Sequence, residues 1–408
     1  MGKFIVMDIV FYANSLNYDQ GSGNYQELKK ITKWDGKQYT FVSRYAMRYS
    51  LLETGRRLGL WQLAEGEQLM PEENQKVIQP SESLLLSGEI LNYPEFDLFG
   101  YLITSTTPQN FREAPVKISH AVSLTPFNYD ALFNANIGLA NRVRKSHGEM
   151  SPNPFTSEEH MTYYVYSIVI NTDAIGIIES YFQLKGDDKK GLRLKEEDNF
   201  LVIQDSNKKD VKKFKISTEN VILEEITLPI EKKDVDITGS EEIEKKIKYN
   251  SESNVIVVKY IFAKKEDRVK EFLKAVLNLH RSIKGRDEDL SPKLLIMGIY
   301  QDGYYKTYKD KISLIDEQIE EEYDEIEEKT DGGKRIVKVK HITTRSKKPV
   351  FRVEGLSGKC EEINEQKILN MVGPLFNKNN SGNQVKVFCS PEVKVKLDSN
   401  NSQSSQTG

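Results

Sequence analysis

A run of polar residues and glycines directly follows the first apolar segment of the chain. This run, "SLNYDQGSGN", covers residues 15–24 and includes Ser15, Asn17 and Asn24. Its glycines favour a turn that presents backbone N–H groups, and its amide side chains add donors for phosphate or sugar oxygens. It is not a Walker loop, because no Gly-Lys-Ser/Thr follows, and it lacks the third glycine of a dinucleotide fingerprint. The pattern therefore predicts either an anion-binding loop or a plain glycine-rich connection.

Two arginines open the helical segment that comes next, "SRYAMRYSLLETGRRLG". Ser43 stands at an N-cap position, and Arg44 and Arg48 lie four residues apart on one face of the predicted helix. A helix N-terminus carries partial positive charge and free N–H groups, and two arginines one turn apart can each bind a phosphate. The spacing favours contact with a polyanion. A solvated helix face with local salt bridges is the alternative.

Further basic residues occur between residues 60 and 160. "ANRVRKSHGE" contains Arg142, Arg144 and Lys145, a cluster that fits phosphate contact and equally fits an exposed turn. Arg112 follows an aromatic residue, an arrangement that fits base stacking but is also explained by packing in a core or loop. We include these four residues among the candidate nucleic-acid contacts.

Catalytic chemistry finds little support in the sequence. The five histidines are scattered, and no Cys–His or Ser–His constellation, HExxH motif or DxD-type metal site occurs. We therefore predict no catalytic residue, no metal and no cofactor. Asp19, the acidic residue of the glycine-containing loop, is the candidate for an enzyme, since it could position a metal or activate a 2′-hydroxyl beside RNA. His280 is predicted to pack into the core from the apolar face of a helix.

The composition is that of an ordinary folded protein, with 408 residues, 38% of them apolar and 29% charged. No apolar stretch approaches the roughly 20 residues of a membrane helix, and the N-terminus lacks a signal-peptide pattern, so we expect a cytoplasmic location. Cys360 and Cys389 are too few and too far apart to indicate a disulfide framework or a zinc site.

Charge is segregated along the chain. The net charge of −3 argues weakly against a nucleic-acid partner. Residues 316–328, however, contain nine acidic residues and no basic ones. Without them, the 58 basic residues exceed the remaining 52 acidic residues by six. The overall charge therefore says little about any one face of the protein.

Apolar patterns predict a strand–helix–strand unit that occurs twice. The predicted elements are strands at 4–14, 161–170, 254–262 and 294–300 and helices at 43–59 and 266–284. This order indicates an α+β fold, in the form of a ferredoxin-like or RNA-recognition-motif palm with large finger and thumb-like insertions and a C-terminal extension.

The predicted organisation follows from these elements. The parts are the first half of the palm (1–59), a finger insertion (60–160), a palm strand (161–182), a charged thumb-like insertion (183–251), the second half of the palm (252–300), a C-terminal extension (301–398) and a disordered tail (399–408).

Several of these motifs occur in an order that resembles a known family. "SLNYDQGSGN…LKK…DGKQYTFVSRYAMRYSLLETGRR", "DLFGYL…REAPVKISHAVSLTPF" and "FLKAVLNLHRSIKGRDEDLSPKLLIMGIY" resemble the CRISPR-associated autoregulator DevR family. The family, of the RAMP type, provides the backbone subunits of the type I-B Cascade, a crRNA-guided surveillance complex. The resemblance covers about residues 3–170 and 252–300 and leaves out the charged insertion and everything after Gln301.

The resemblance implies a non-catalytic subunit of antiviral defence that binds crRNA and stacks head to tail with other copies of itself along the guide. Target DNA would be recognised through pairing with the guide, and DevS-type and large Cascade subunits would be further partners; no membrane is involved. By position, Ser15, Asn17 and Asn24 would lie in the palm loop on the RNA. Ser43, Arg44 and Arg48 would hold phosphates, and the insertion after residue 170 would include the thumb.

Two alternatives stay open at the level of sequence. One is an RNA-cleaving backbone subunit that uses Asp19, because a related backbone type cuts target RNA with a loop aspartate. The other, which the family's name suggests, is a transcriptional autoregulator of its own operon. The absence of a helix-turn-helix pattern makes the second the weaker hypothesis.

Overall fold

The structure is a computed structural model of the chain. It describes residues 2–69, 77–81, 84–85, 88–104, 106, 108–148, 153–183, 193–197, 200–204, 210–215, 243–250, 255–321, 324–330, 333–339, 345–376 and 382–399. Much of the predicted thumb-like insertion, including 216–242, lies outside the described residues, as does the predicted tail from residue 400 onward.

The described chain is rich in strands. In chain order they are β1 Phe4–Asn14, β2 Tyr25–Gln26, β3 Lys30–Thr32, β4 Gln38–Val42, β5 Tyr101–Ile103, β6 Asn110–Arg112, β7 Val116–Ile118, β8 Ala121–Ser123, β9 Ala131–Asn134, β10 Phe155–Glu158, β11 Met161–Asn171, β12 Ile177–Gln183, β13 Arg193–Glu197, β14 Phe200–Gln204, β15 Asp210–Lys215, β16 Ile243–Asn250, β17 Val255–Phe262, β18 His280–Ile283, β19 Arg286–Asp289, β20 Leu294–Tyr300, β21 Ile312–Glu321, β22 Asp324–Thr330, β23 Gly333–Val339, β24 Arg345–Glu354, β25 Cys360–Glu362, β26 Gln384–Cys389 and β27 Lys394–Asp398.

Helices are fewer. They are α1 Arg44–Arg57, α2 Pro94–Phe99, α3 Ile137–His147, α4 Lys265–Leu277, α5 Glu365–Asn370 and α6 Gly373–Phe376, with short 3-10 turns at Gly66–Leu69, Glu89–Asn92 and Lys309–Lys311. The mixture confirms the predicted α+β class.

A nine-stranded sheet forms the centre of the molecule, in the order β25-β26-β20-β1-β11-β8-β4-β3, with β7 also paired to β11. All neighbours along this order are antiparallel except β25 and β26. The predicted strands at 4–14, 161–170 and 294–300 are therefore adjacent members of one sheet. The predicted strand at 254–262 instead lies in a small separate sheet with β12 and β16.

β1 is buried along nearly its whole length because both of its faces are covered. Its apolar sequence, FIVMDIVFYAN, lacks the polar alternation that one solvated face would produce. Ile5, Met7 and Ile9 point to a core that α1 and α4 complete, through residues such as Met47 and Phe272. Helices thus cover one face of the sheet.

The C-terminal extension covers the opposite face. Val10, Ile296 and Val387 of the central sheet pack against Phe351 and Val353 of the small sheet β21-β24-β27. The extension also adds β25 and β26 to the edge of the central sheet. It is therefore an integral part of the core, which the sequence alone did not indicate.

Asp8 is the one polar residue inside β1, and it is buried beneath this second layer. Its carboxylate accepts hydrogen bonds from the Ser167 hydroxyl and, at 2.7 Å, from the backbone N–H of Tyr308. Burial raises the pKa of Asp8, and these two hydrogen bonds oppose that rise. The carboxylate ties the extension to the first strand.

The helix predicted at 266–284 is shorter than expected. α4 ends at Leu277, and the remaining residues form the hairpin β18–β19. Lys284 and Gly285 both have positive φ, 47° and 78°, as a two-residue hairpin turn of type I′ requires. His280 therefore begins a strand and is half-buried, which corrects its prediction as a core residue of a helix.

The acidic run at 316–328 is paired within its own chain. The register places Glu325 opposite Lys338 and Glu328 opposite Arg335 in the β22–β23 hairpin. Glu321 stands opposite Arg345 where β21 pairs with β24. Acidic strands thus lie beside basic ones.

Cys360 and Cys389 form a disulfide, which corrects the sequence-based expectation. Their Cα atoms are 6.0 Å apart although 29 positions separate them in the sequence. The parallel pairing of β25 with β26 brings Cys389 opposite Glu362, next to Cys360 in space. Strand pairing at this distance along the chain cannot be deduced from the spacing of two cysteines.

No described helix combines the length and the apolar character that crossing a membrane would require.

Candidate nucleic-acid interface

The glycine-containing loop after β1 is a hairpin that bonds to itself. Asp19 N–H donates to the Glu27 carbonyl at 2.8 Å, and Ser22 exchanges backbone hydrogen bonds of 3.1 Å with Tyr25. Gly21 has a φ of 68°, and a Cβ there would lie 2.2 Å from the Tyr25 carbonyl oxygen. The glycine is thus required by close backbone approach. Because the N–H groups of Asp19, Ser22 and Tyr25 already have backbone acceptors, these three are not free to bind an anion.

Ser15 lies beneath this hairpin and is fully buried, with a φ of 49°. Its hydroxyl oxygen accepts from the His160 backbone N–H at 2.8 Å, and the hydroxyl donates to Asn14 at 2.7 Å. The backbone carbonyl of Ser15 accepts from Arg286 at 3.3 Å. These contacts fix the strand-to-hairpin transition, which corrects the expectation that Ser15 faces RNA.

The two asparagines of the loop differ in environment. Asn17 accepts a backbone hydrogen bond from Lys29 at 2.9 Å, while its side-chain amide nitrogen is buried without a hydrogen-bond partner among the described residues. Asn24 is exposed, and its carbonyl accepts from Thr156 N–H at 2.9 Å. The Asn24 side chain is the more accessible of the two.

Asp19, the catalytic candidate, is exposed and paired with Lys29 at 3.3 Å. Its carboxylate also accepts from the backbone N–H of Gln20 at 3.0 Å. This hydrogen bond and then the contact with Lys29 lower the pKa of Asp19. Across the described residues, no three His, Cys, Asp or Glu side chains gather as metal ligands.

The N-terminus of α1 is capped by two side chains. Ser43 Oγ accepts from Ala46 N–H at 3.2 Å, and His120 Nδ1 accepts from Arg44 N–H at 3.0 Å. Met47 N–H donates to the Ser43 carbonyl. Several backbone donors of the helix N-terminus are thus in use, and Ser43 is confirmed as an N-cap, while its phosphate contact stays a prediction.

The guanidinium groups of α1 are better placed for an anion. Arg44 is exposed, lies 5.0 Å from the Tyr45 ring and donates to the Tyr45 hydroxyl at 3.1 Å. Arg48 is half-buried over the Phe99 ring at 4.9 Å, and this burial lowers its pKa. Aromatic contacts hold both cations without neutralising them.

Arg44 and Arg48 border a groove of about 260 Å³ between α1, α2 and β7. Its other lining residues are Tyr45, Phe99, Ala114, Val116, Lys117 and Ile118. All three charged residues in this lining are basic. Lys117 is exposed and is paired at 2.6 Å with Glu113, which lies outside the lining. The groove therefore offers positive charge beside aromatic surface.

Arg112 lies in the interior and is not part of this groove. It pairs with the buried carboxylate of Asp97 at 2.7 Å and donates to backbone carbonyls of Asp97, Ala174 and Ile177. Arg268 approaches the other oxygen of Asp97 at 3.3 Å. Arg112 thus stabilises the junction of α2 with the strands around it, which corrects its prediction as an RNA contact.

Arg142 and Arg144 lie on α3 and are exposed, and the side chain of Lys145 lies outside the part of the chain that the structure describes. α3 contributes no residue to the lining of the α1 groove. The basic residues predicted together as one interface therefore belong to separate places on the molecule.

Sequence reasoning missed three residues of the α1 region. Tyr45 and Tyr49 are each 66% exposed and lie one turn apart beside the arginines. Their i,i+4 spacing on the polar side of the helix was the available signal. His120 lies 76 positions after Arg44 in the sequence, and no local sequence pattern predicts its contact with α1.

Comparison with known proteins gives two sequence matches. The family described as "CRISPR-associated negative auto-regulator DevR/Csa2" matches residues 5–323. A protein of Myxococcus xanthus (strain DK1622) named "CRISPR-associated protein Cas7/Cst2/DevR" is 25% identical over 175 residues, which are 38% of this chain and 52% of that protein. The chain thus spans about half the length of this curated relative.

Solved structures with some similarity come from CRISPR complexes. A chain of a "CRISPR RNA-guided surveillance complex" has a TM-score of 0.34 and 10% identity, over 74% of this chain and 72% of that one. A chain of such a complex described as "pre-nicking" has a TM-score of 0.36 and 11% identity, over 74% and 80%. A chain of a "Type IV-B CRISPR Complex" has a TM-score of 0.26 and 13% identity, over 40% and 72%.

Proposed function

This chain belongs to the CRISPR-associated DevR/Csa2 family, and from that premise we propose that it is a crRNA-binding backbone subunit of a cytoplasmic type I-B Cascade complex. Several copies stack head to tail along the guide, alongside DevS-type and large subunits. Invading DNA is recognised by pairing with the guide. The subunit itself cleaves nothing.

The groove beside α1 is the observation that carries this proposal. A protein that binds any guide sequence must contact phosphate and sugar in preference to base edges. Arg44, Arg48 and Lys117 supply cationic donors, and Tyr45 supplies a ring that accepts any base. None of these groups selects a particular base.

The central sheet supports a ferredoxin-like palm. The neighbours β20-β1-β11-β8 are antiparallel, in the strand order 4-1-3-2 when numbered along the chain. α1 follows the first of these strands and α4 precedes the last, and both pack on the same face. This strand order and the placement of both helices match those of a split βαβ fold and therefore support the proposed palm.

RNA is proposed to follow the edge of this sheet and not its open face. An RNA-recognition motif stacks bases on the free face of its sheet. Here that face is covered, with the Tyr163 and Phe351 rings 5.1 Å apart across the two layers. The accessible route passes along β3, β4 and the start of α1, at the sheet edge.

Isolation of the protein with its bound nucleic acid tests the proposal directly. We expect small RNAs of repeat–spacer sequence to co-purify, in a stoichiometry of several protein copies per RNA. Co-purified RNA that is random cellular sequence, or no RNA at all, would overturn it.

The non-catalytic role is tested with complementary RNA and magnesium. Asp19 is the catalytic candidate, and its carboxylate already pairs with Lys29. We expect the assembled complex to leave the target RNA intact. Cleavage that disappears in Asp19→Ala but persists in Asp302→Ala, a change at an exposed aspartate after β20, would establish the alternative enzyme.

The autoregulator hypothesis is tested separately with the operon's own promoter. A footprint by protein freed of guide RNA would support direct repression. We expect no footprint, because the sequence has no helix-turn-helix pattern that would place a helix in the major groove.

A further inference from the structure

Trp34 is almost completely exposed, with 97% of its surface open to solvent. It stands at the tip of the β3–β4 hairpin, the last pair of strands at this edge of the central sheet. The second tryptophan of the chain, Trp61, is buried and donates its indole N–H to the Leu52 carbonyl at 2.9 Å. Exposure of so large an apolar ring needs a reason.

The turn beneath Trp34 is ordered by its own hydrogen bonds. Gly36 N–H donates to the Lys33 carbonyl at 3.0 Å, and Lys33 N–H donates to the Lys37 carbonyl at 3.1 Å. Gly36 has a φ of 74°, which completes a type I turn with a bulge. The two oxygens of Asp35 accept from Lys37 N–H at 3.0 Å and from the hydroxyl of Tyr39 at 2.8 Å.

A rigid turn changes what the exposed ring can do. Tyr39 is buried, so its hydroxyl anchors Asp35 to the body of the sheet. The backbone that carries Trp34 is therefore fixed before any partner arrives, and binding costs less conformational entropy. Both faces of the indole are open, as insertion between or stacking on flat rings requires.

The neighbours of Trp34 are polar and carry both signs of charge: Lys33 precedes it, Asp35 follows it, and Lys37 closes the turn. Lys33 Nζ lies 3.9 Å from the centre of the Tyr39 ring and 3.4 Å from the Ser123 carbonyl, and Lys37 is exposed. Within the hairpin the only other exposed large apolar side chain is Ile31, at 46%. The one carboxylate of the turn, Asp35, is held by Lys37 N–H and the Tyr39 hydroxyl. An exposed tryptophan in a turn with two lysines, without an apolar patch around it, matches single-stranded nucleic acid better than a protein surface.

The hairpin is continuous with the groove beside α1. β4 leads from Lys37 directly to Ser43, which caps the helix that carries Arg44. The five residues of β4 separate Lys37 from Ser43, and the six steps of extended chain between these two residues span about 20 Å. One single strand of nucleic acid can span both places.

We propose that Trp34 stacks on an unpaired base of the same RNA strand whose phosphates contact Arg44 and Arg48. This inference rests on the proposed function and names a base-contacting residue within it. The stacked base is of any identity, since every base has a flat face. Lys33 and Lys37 contribute attraction for the adjoining phosphates.

Intrinsic fluorescence tests the proposal, because one tryptophan of the chain is exposed and the other buried. The full-length protein, stripped of co-purified nucleic acid, is titrated with oligouridylate RNA while emission and the anisotropy of labelled RNA are recorded. Trp34→Phe, Trp34→Ala and a control, Tyr304→Ala, are titrated in parallel. Tyr304 is 63% exposed and follows β20 at the end of the sheet where β1 begins, away from the hairpin.

We expect RNA to quench the wild-type and Tyr304→Ala proteins and to leave the emission of Trp34→Phe unchanged. Trp34→Ala should bind oligouridylate about 5- to 140-fold more weakly, the range for loss of one base–aromatic stack. The affinity of Trp34→Phe for oligouridylate should lie between those of the wild-type protein and Trp34→Ala, since phenylalanine stacks on a base less well than tryptophan does.

Each other outcome has a distinct meaning. Wild-type affinity in Trp34→Ala, without quenching in the wild type, overturns this inference and leaves the proposed function intact. Failure of the wild-type protein to bind RNA overturns both. A shift of Trp34 emission that depends on protein concentration and not on RNA would overturn it in favour of a contact between copies.

Discussion

The backbone N–H of Arg44 donates to Nδ1 of His120 over 3.0 Å, so a side chain from a distant turn closes the first turn of α1. This hydrogen bond requires an unprotonated Nδ1 and places the proton of the neutral ring on Nε2. With Ser43 Oγ bound to Ala46 N–H, little of the helix N-terminus is left for a ligand. An anion bound near this helix end must therefore be held mainly by side chains.

Loss of both α1 guanidiniums should weaken RNA binding without regard to sequence. For Arg44→Ala with Arg48→Ala, we expect the slope of log affinity against log salt to flatten by about 1.4, the value for two lost single-strand phosphate contacts. The measurement is RNA affinity at several salt concentrations. The matched control is Arg56→Ala with Arg57→Ala, which removes equal charge from the other end of α1. Equal effects of the two pairs would contradict a localised site.

Ser43 should contribute to stability as the N-cap of α1. We expect Ser43→Ala to lower the free energy of unfolding by about 1 kcal/mol, the usual value of an N-cap. Ser43→Asn should retain most of it, because its side chain can also accept from Ala46 N–H. Urea denaturation measures both variants. A weaker RNA affinity in Ser43→Ala, with an unchanged salt slope because serine is uncharged, would show that Ser43 also contacts a phosphate.

Acid should destabilise the protein through His160. This ring shares a hydrogen bond of 2.7 Å with Thr40, and burial lowers its pKa below the ordinary value of 6.5. The unfolded chain therefore binds more protons as the pH falls through 6.5, and stability that is complete above this pH is lost below it. Urea midpoints should fall less steeply with acid in His160→Gln. Parallel pH curves for the two proteins would contradict this assignment.

The buried carboxylate of Asp97 should be among the most sensitive positions. It lies between Arg112 and Arg268, whose side chains are 8% and 6% exposed. Asp97→Ala should cost about 3–5 kcal/mol of stability, because it leaves Arg112 buried without a counter-charge and Arg268 with only Glu271, at 3.9 Å. Glu113→Ala, which breaks an exposed pair with Lys117, should cost about 1 kcal/mol or less. Urea denaturation of both variants measures the two losses of stability. Losses of similar size would contradict the larger contribution expected from the buried pairs of Asp97.

The disulfide should stabilise the C-terminal edge of the sheet. We expect reductant to lower the stability of the wild-type protein by about 2–4 kcal/mol, as for bridges that close loops of this length. Cys360→Ser with Cys389→Ser should be as unstable as the reduced protein and insensitive to reductant. Unfolding in urea with and without reductant tests this, and a reductant effect in the double variant would point to another cause.

Sequence patterns correctly predicted the elements that depend on interactions between residues close together in the chain. β1 is an unbroken apolar run, and Ser43 begins α1 as a cap residue should. The end of α4 was predicted wrongly because Leu279 and Ile283 continue a helical spacing. The positive φ values of Lys284 and Gly285 show that turn geometry prevailed over periodicity.

Within the candidate site, sequence reasoning found Arg44 and Arg48 but could not assign Arg112. An arginine beside an aromatic residue has the same local pattern whether it is exposed or buried. Only the pairing of Arg112 with Asp97, 15 positions earlier in the sequence, decides between the two. Trp34 was missed because its role depends on its exposure, and His120 because its role depends on a partner from another segment of the chain.

The position of β1 between β11 and β20, under a layer supplied by the C-terminal extension, has a consequence for biosynthesis. The ribosome makes β1 well before its partner β20 and the covering strand β24. This part of the core therefore closes only after β24 has emerged, and the apolar β1 of a nascent chain needs protection until then.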